Sequence, residues 1–220
     1  MPTRTMPFAA SVFLAAVLAM QSGSAAQDWE KRAEKQAEKI IKLNGTGTDL
    51  ALQKQILGMS KEDQEVRMKE IATSDPERPE ILKQMEQTDS RLTSELKQIV
   101  AAHGWPTIAL VGAKASQAAA VILIHSPDHD WQEQLIPQLQ KLVGREQILG
   151  SDIATLIDRV LVSQGKLQRF GTQFKITDGK MVMEPVEDPK HLEKRRAHYM
   201  LPPMAIYRTM LRDLYKMPVQ

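Results

Sequence analysis

The sequence predicts a mainly α-helical protein with one β-hairpin near its C-terminal third. Two observations predict this fold class. Apolar residues recur at helical spacing along most of the chain, in segments that glycine or proline separates. Only at residues 168–176 do apolar and polar residues alternate one by one, which is typical of a strand. We therefore expect a multi-helix domain that contains a single hairpin and follows a helical arm.

Residues 1–26 read as a secretory signal peptide. Arg4 provides the basic start, and an apolar run from Met6 to Met20 follows it. Ser24 and Ala26 are the small residues that precede a cleavage site after Ala26. The apolar run is shorter than the roughly 20 residues that span a bilayer, so we expect cleavage and export rather than an uncleaved anchor. The processed chain would be periplasmic or secreted, with no membrane span.

Composition excludes several classes of function. Without Arg4, the only charged residue among the first 26, the chain has 28 basic and 27 acidic residues. This balance lacks the concentrated positive charge with which proteins bind nucleic acid. The chain contains no cysteine, so it has no disulfide bond, no thiolate metal site, no cysteine nucleophile and no lipid-modified cysteine.

Residues 27–78 are expected to form a charged helical arm. Trp29, Ala33 and Ile40 fall at helical spacing among many charged residues. Thr48 or Asp49 is predicted to cap the second helix, and Ser60 a third, which Asp75-Pro76 would end. A pair of arm helices that forms a dimer is one reading of this segment, and the oligomeric state stays open.

Residues 79–220 are expected to form the better-packed domain. One helix starts near Pro79 and ends at Gly104, and an entirely apolar helix follows, which His125 closes. Two more helices precede the alternating segment, where Asp178-Gly179 predicts the tight turn of a hairpin. Asp188-Pro189 and Pro202-Pro203 open the last two helices.

An ordered series of short motifs runs through this domain. They are Gly104-Trp105-Pro106-Thr107 with Val111-Gly112, Asp158-Arg159-Val160-Leu161-Val162 with Gly165-Lys166, Gln168-Arg169-Phe170-Gly171-Thr172-Gln173, Glu187-Asp188-Pro189, Arg195-Arg196 and Leu201-Pro202-Pro203. Together they resemble an uncharacterised bacterial family, domain of unknown function 6624, over about residues 79–210. The resemblance implies the domain and its polar positions but names no reaction. Members of the family typically have glutamine where this chain has Ile124, and glycine where it has Met200.

His125 is the sharpest candidate for chemistry. It closes an apolar helix, where an imidazole ring needs a polar partner. A histidine that acts as a general base needs a carboxylate to fix its tautomer, and Asp158 or Asp130 could provide one. The alternative is a buried histidine that bonds to a neighbouring carbonyl group.

The run from His125 to Asp130 superficially resembles a metal cluster. Pro127 breaks the helix, so His125 and His129 are not stacked one turn apart. Asp128 and Asp130 are explained as turn and helix-capping residues. We therefore expect no metal and no cofactor.

A second group of polar residues lies beside the predicted hairpin. The candidates for ligand binding are Arg159, Gln168, Thr172, Gln173, Arg195 and Arg196. If they converge with Asp158 on His125, they would form a cleft suited to a polar or anionic ligand. A purely structural network that ties the hairpin to the helices is the alternative.

Two hypotheses of function follow. The first is an exported binding or accessory module of the cell envelope that recognises a small polar ligand or a protein partner. The second is a hydrolase that uses His125 with Asp158 or Asp130. The chain has no G-x-S-x-G and no H-E-x-x-H motif, which disfavours the familiar serine and zinc hydrolases.

Overall fold

The computed structural model describes residues 4–5, 24–73 and 78–220. Within these residues the protein is mainly helical, with one antiparallel hairpin in the C-terminal third, which confirms the predicted fold class. Most of the predicted signal peptide, residues 1–3 and 6–23, lies outside the described residues. So does the predicted helix stop at Asp75-Pro76.

Eight α-helices and three strands make up the described part of the chain. The helices are α1 Ser24–Asn44, α2 Leu50–Ala72, α3 Arg78–His103, α4 Ile108–His125, α5 His129–Gly144, α6 Gly150–Ser163, α7 Leu192–His198 and α8 Met204–Tyr215. The strands are β1 Arg4–Thr5, β2 Phe174–Thr177 and β3 Lys180–Met183, and a short 3-10 turn Pro189–His191 precedes α7.

The chain forms two compact units. The helical unit comprises residues 40–148, and the hairpin unit comprises residues 149–220 together with the described residues that precede residue 40. Helix α2 packs against both α3 and α4 inside the helical unit, so this division does not follow the predicted boundary after residue 78.

Helix α2 belongs to the helical unit because one of its faces is apolar. Leu52, Ile56 and Met59 recur at helical spacing and are buried. Ser60 does not cap a separate helix, as predicted, but lies in the middle of this continuous one. The cap is Asp49, whose Oδ1 accepts a hydrogen bond from the Leu52 backbone N–H at 2.9 Å.

A close backbone approach joins the start of α2 to the start of α4. The Thr48 and Asp49 N–H groups both donate to the Leu110 carbonyl, at 2.9 and 2.8 Å. Gly112 lies at the contact with φ 76° and ψ 163°, a conformation that kinks α4 and that only glycine adopts readily. A Cβ at Gly112 would lie 2.6 Å from the Thr46 carbonyl oxygen. The approach therefore requires glycine at this position.

Helix α4 is apolar on all sides. Among the described residues it is the one helix that is long and apolar enough to cross a membrane, but 72% of that stretch is buried. The core helix of a folded domain has these same properties. At its C-terminal end the Gln132 side-chain amide donates to the carbonyls of Leu123, Ile124 and Ser126, which satisfies carbonyls that the helix leaves unpaired. The position of His125 at this end is thereby fixed.

The hairpin unit is built around β2 and β3. These strands pair antiparallel with Phe174 opposite Met183, and Asp178 and Gly179 turn the chain with φ 50° and 72°. The tight turn is as predicted. An apolar cluster holds the hairpin against the two C-terminal helices, and its buried members are Phe174, Met181, Leu192, Met204, Tyr207 and Leu211.

Both edges of the hairpin carry further backbone pairing. Residues 218–220 run along β3, where the Met181 N–H donates to the Pro218 carbonyl and the Gln220 N–H to the Met181 carbonyl, each at 2.8 Å. On the other edge β1 pairs antiparallel with β2. Since β1 belongs to the predicted signal peptide, the β2–β3 hairpin is the part of the sheet that processing would retain.

The predicted first strand is shorter than its sequence pattern. Alternation begins at Gln168, but regular pairing begins only at Phe174. Residues 169–173 form an irregular loop, because the backbone N–H groups of Arg169, Phe170, Thr172 and Gln173 bind side chains rather than a neighbouring strand.

Two glycine substitutions compare the effect on stability of the close approach at Gly112 with the effect of a positive φ alone. Gly104 also has a positive φ, 73°, but a Cβ there would meet nothing within 4 Å. We expect Gly104→Ala to lower the free energy of unfolding by about 1 kcal/mol, from the left-handed backbone alone. Gly112→Ala adds the clash with Thr46 and should cost about 3 kcal/mol. Urea unfolding measures both, and equal losses would contradict the close approach.

Candidate functional site

A buried polar cluster lies in the helical unit where α2, α3 and α4 pack together. His125, at the end of α4, is only 3% exposed. Its Nδ1 lies 2.7 Å from Oδ1 of Asp63, on α2. The Nε atom of Arg67, one turn further along α2, lies 2.9 Å from the same Nδ1 and 3.2 Å from Asp63 Oδ1.

These distances assign the imidazole tautomer. Nδ1 cannot both accept a hydrogen bond from Arg67 and donate one to Asp63. The contact with the Asp63 carboxylate is the shorter, so Nδ1–H donates to Asp63, and the Arg67 Nε–H donates to the same carboxylate. Nε2 of His125 then carries a lone pair. It is buried and has no hydrogen-bond partner among the described residues.

Arg67 links the His125–Asp63 pair to helix α3. Its Nη2 lies 2.6 Å from Oδ1 of Asp89, while its Nη1 faces the thioether sulfur of Met85 at 3.2 Å, a weak acceptor. The Arg67 and Asp89 side chains are 6% and 13% exposed. The cluster therefore approaches solvent on the α3 side, and Oδ2 of Asp89 accepts no hydrogen bond from the described residues.

Burial and charge act in opposite directions on the titratable groups. Burial opposes ionisation of Asp63, but His125, Arg67 and Gln64 outweigh it and lower the pKa of this carboxyl. Burial lowers the pKa of the His125 imidazole below its ordinary value of 6.5, although Asp63 opposes this shift. Burial raises the pKa of Asp89 against the opposing effect of Arg67. At neutral pH the cluster thus holds an ionised Asp63 and a neutral His125.

The two side-chain partners of His125, Asp63 and Arg67, were not predicted from the sequence. Asp63 and Arg67 lie in the same stripe of α2 as Met59 and Val66, so they face the core although they are charged. Such a pair, four residues apart on an otherwise apolar face, was the available signal. This signal was not used because residues 27–78 were interpreted as a charged helical arm.

No hydrogen bond joins Asp130 to His125, and Asp130 is exposed in the first turn of α5. Asp158, the other predicted carboxylate, belongs to the hairpin unit, whereas His125 belongs to the helical unit. Asp128 caps α5 and accepts a hydrogen bond from the Trp131 N–H at 2.9 Å. This agrees with its interpretation as a turn and helix-capping residue. Within residues 4–5, 24–73 and 78–220, no group of three or more histidine or acidic side chains is arranged to hold a metal.

Asp158 organises the loop of residues 169–173 in the hairpin unit. Its carboxylate accepts hydrogen bonds from the backbone N–H groups of Arg169, Phe170 and Thr172 and from the Thr172 hydroxyl, at 2.7 to 3.1 Å. Burial raises the pKa of Asp158, and these hydrogen bonds oppose that shift. With four donors around it, the carboxylate acts as a structural anchor for the loop.

Most of the predicted ligand-binding side chains hold backbone groups of the same unit. The Gln168 amide donates to the Gln173 and Glu184 carbonyls and accepts from the Gln173 N–H. The Gln173 amide donates to the Thr172 hydroxyl. Arg195 donates to the carbonyls of residues 169, 187 and 188. Arg159 is half-buried on α6. These contacts support the structural alternative for this group.

Arg196 differs from these residues because it is fully buried without a paired carboxylate. Its Nε donates to the Pro202 carbonyl at 2.8 Å, and its Nη1 donates to the Phe170 carbonyl. The guanidinium carbon lies 4.8 Å from the centre of the Tyr207 ring. Nη2 has no hydrogen-bond partner in the described part of the chain.

Comparison with known proteins identifies a family but no activity. The model of a family of unknown function, DUF6624, matches residues 50–220. This match starts earlier than the predicted resemblance and includes α2, with Asp63 and Arg67. No curated protein and no solved structure matches the chain.

The tautomer and low pKa of His125 predict how stability depends on pH. The unfolded chain takes up a proton on this histidine near pH 6.5, whereas the folded protein does so only at lower pH. Stability should therefore fall as the pH drops below 6.5, until the folded pKa is passed. His125→Gln should weaken this loss, and His103→Gln, at an exposed position, should not. Urea unfolding from pH 7.5 to 5 tests this, and identical slopes for both variants would contradict it.

Proposed function

The chain belongs to the DUF6624 family, a family of unknown function, and we propose that it works as an exported hydrolase with His125 as its general base. One observation carries this proposal. His125 is held by a carboxylate at Nδ1 and presents at Nε2 a lone pair that no described residue uses. An unsatisfied buried polar atom costs about 1–3 kcal/mol, so a network with a purely structural role would be expected to pair it.

The charges around His125 suit proton abstraction. The Asp63 carboxylate lies against both the imidazole and the Arg67 guanidinium, and Asp89 also pairs with Arg67. When Nε2 takes a proton from a water molecule or a hydroxyl group, an imidazolium forms beside the ionised Asp63. The Asp63 carboxylate stabilises it directly at Nδ1–H. Arg67 keeps Asp63 ionised and oriented.

Asp89 and Met85 lie on α3, on the side where the cluster approaches solvent. Both are half-buried, and both contact Arg67. Met85 contributes only a weak acceptor to Arg67.

The binding-module hypothesis draws less support from the same structure. Of the side chains on which it relied, Gln168 and Arg195 donate to backbone carbonyls of residues 169–188. The Thr172 hydroxyl donates to Asp158, and the Gln173 amide donates to the Thr172 hydroxyl. Binding without turnover would be the finding that restores it. Recognition of a protein partner through another surface would restore it in the same way.

The location of the protein follows from residues 1–26. We propose that the chain is processed after Ala26 and works in the periplasm or outside the cell, on the basis of its basic start, its apolar run and its small-residue cleavage region. A hydrolase with this address would act on a cell-envelope or extracellular substrate.

Loss of His125 should remove turnover without removing the fold. A panel of p-nitrophenyl esters, phosphates and glycosides is assayed with the wild type and with His125→Gln. General-base catalysis is worth about 10²–10⁴-fold, so we expect kcat to fall by that factor. Asp63→Asn should also lower kcat, because it leaves Nδ1 without its carboxylate.

His103→Gln is the matched control, since His103 is exposed at the end of α3 and should leave kcat unchanged. Circular dichroism verifies that each variant is folded. Full activity of a folded His125→Gln protein would refute the proposal, whereas saturable binding without turnover in the whole panel would favour the binding module.

Signal-peptide processing is tested separately. Expression in a bacterial host followed by cell fractionation and N-terminal sequencing should give a periplasmic or secreted product that starts at Gln27. Ala26→Gln places a large side chain next to the cleavage point and should yield the unprocessed, membrane-associated precursor. A cytoplasmic wild-type product that retains Met1 would contradict export.

A further inference from the structure

Arg196 is a buried cation that the hydrolase proposal does not use. It is the largest fully buried side chain of the described residues, with 0% exposure. Taking a guanidinium out of water is expensive unless it is paired with a negative charge. The groups that it contacts, the Pro202 and Phe170 carbonyls and the Tyr207 ring, are all uncharged.

The nearby carboxylates are directed elsewhere. Asp158 uses its oxygens to accept the hydrogen bonds of the 169–173 loop. Glu193 accepts from the Met204 N–H at 3.0 Å, at the start of α8. Neither makes an ion pair with Arg196 among the described residues, so its positive charge has no direct counterion.

One nitrogen of the Arg196 guanidinium is left to bind a ligand. A guanidinium has five N–H groups. In Arg196 the Nε–H donates to Pro202, and Nη1 donates to Phe170 and, more distantly at 3.4 Å, to Gly171. Nη2 is buried and donates to no described residue. Arg67 differs in this respect, because two carboxylates hold it.

We propose that Nη2 of Arg196 is the centre of a small-anion site in the hairpin unit. The site takes a monovalent anion, such as the carboxylate group of a small organic acid. A single guanidinium with one free nitrogen offsets one negative charge, and an N–H group of that nitrogen can donate to a carboxylate oxygen. A divalent oxyanion would bring a second charge that nothing at the site neutralises. The desolvation that lowers the pKa of Arg196 strengthens its attraction for an anion.

This site is independent of His125, since it lies wholly within the hairpin unit. An anion there would give the Arg196 guanidinium the direct counterion that it lacks among the described residues. Its occupancy should therefore affect the stability of that unit rather than the acid–base chemistry of the His125 cluster.

Bromide diffraction tests the site directly on the wild-type protein. Crystals soaked in sodium bromide should show an anomalous peak within hydrogen-bonding distance of Arg196 Nη2, and acetate should remove it by competition. A map with bromide only at surface lysines, or with none at Nη2, would overturn the proposal. This experiment needs no variant.

Thermal unfolding gives the second test. At roughly tenfold excess over Kd, sodium acetate should raise Tm by about 3–5 °C and then saturate, relative to sodium sulfate at equal ionic strength. Arg196→Lys keeps the charge but loses the guanidinium fork, so it should lose this saturable rise. Arg195→Lys is the matched control and should keep it. An equal response of Arg196→Lys and wild type would overturn the proposal, and if Arg196→Lys does not fold, the diffraction result decides.

Discussion

The free-energy cost of burying charged side chains governs both units of this protein. In the helical unit, Asp63 and Arg67 lie on the face of α2 that is directed at the core. Their burial is tolerated because His125 and Asp89 complete their hydrogen bonds. In the hairpin unit, Asp158 is tolerated because three backbone N–H groups and a hydroxyl surround it. These hydrogen bonds also join segments that are separate in the sequence. The need to satisfy buried charges therefore helps to determine which segments pack together.

The carboxylates of Asp158 and Asp63 are both buried, but their partners differ. Asp158 binds backbone groups, which cannot move without unfolding the loop, so it stabilises the shape of that loop. Asp63 binds two titratable or charged side chains, His125 and Arg67, and the Nε2 atom of His125 has no hydrogen-bond partner among the described residues. A general base of the kind proposed for His125 needs such an unpaired nitrogen, whereas a structural anchor does not.

The helical fold, the hairpin and its turn could be read from the sequence, because helical spacing and an Asp178-Gly179 turn are local signals. The limits of the first strand could not be read in this way, since Asp158, on the preceding helix α6, binds backbone N–H groups 11 to 14 residues further along the chain. His125 was found by its position at the end of an apolar helix. Its carboxylate was sought nearby in sequence or among the family-like motifs, whereas Asp63 lies 62 residues away.

Met200 shows how a family pattern and a backbone angle agree. The resemblance placed a glycine where this chain has methionine, and Met200 adopts φ 60°, in the region that glycine occupies without strain. A left-handed residue is therefore needed after α7 whatever its side chain is. The departure from the family pattern changes the local strain and leaves the turn in place.

The three residues that run along β3 have a consequence for behaviour in concentrated solution. An uncovered strand edge is a template for pairing with another molecule, and it promotes aggregation. Pro218 and Gln220 occupy the backbone groups of Met181 and Met183 that would otherwise face solvent. This short segment covers the β3 edge of the hairpin against pairing with another molecule, a task that is separate from any chemistry the protein performs.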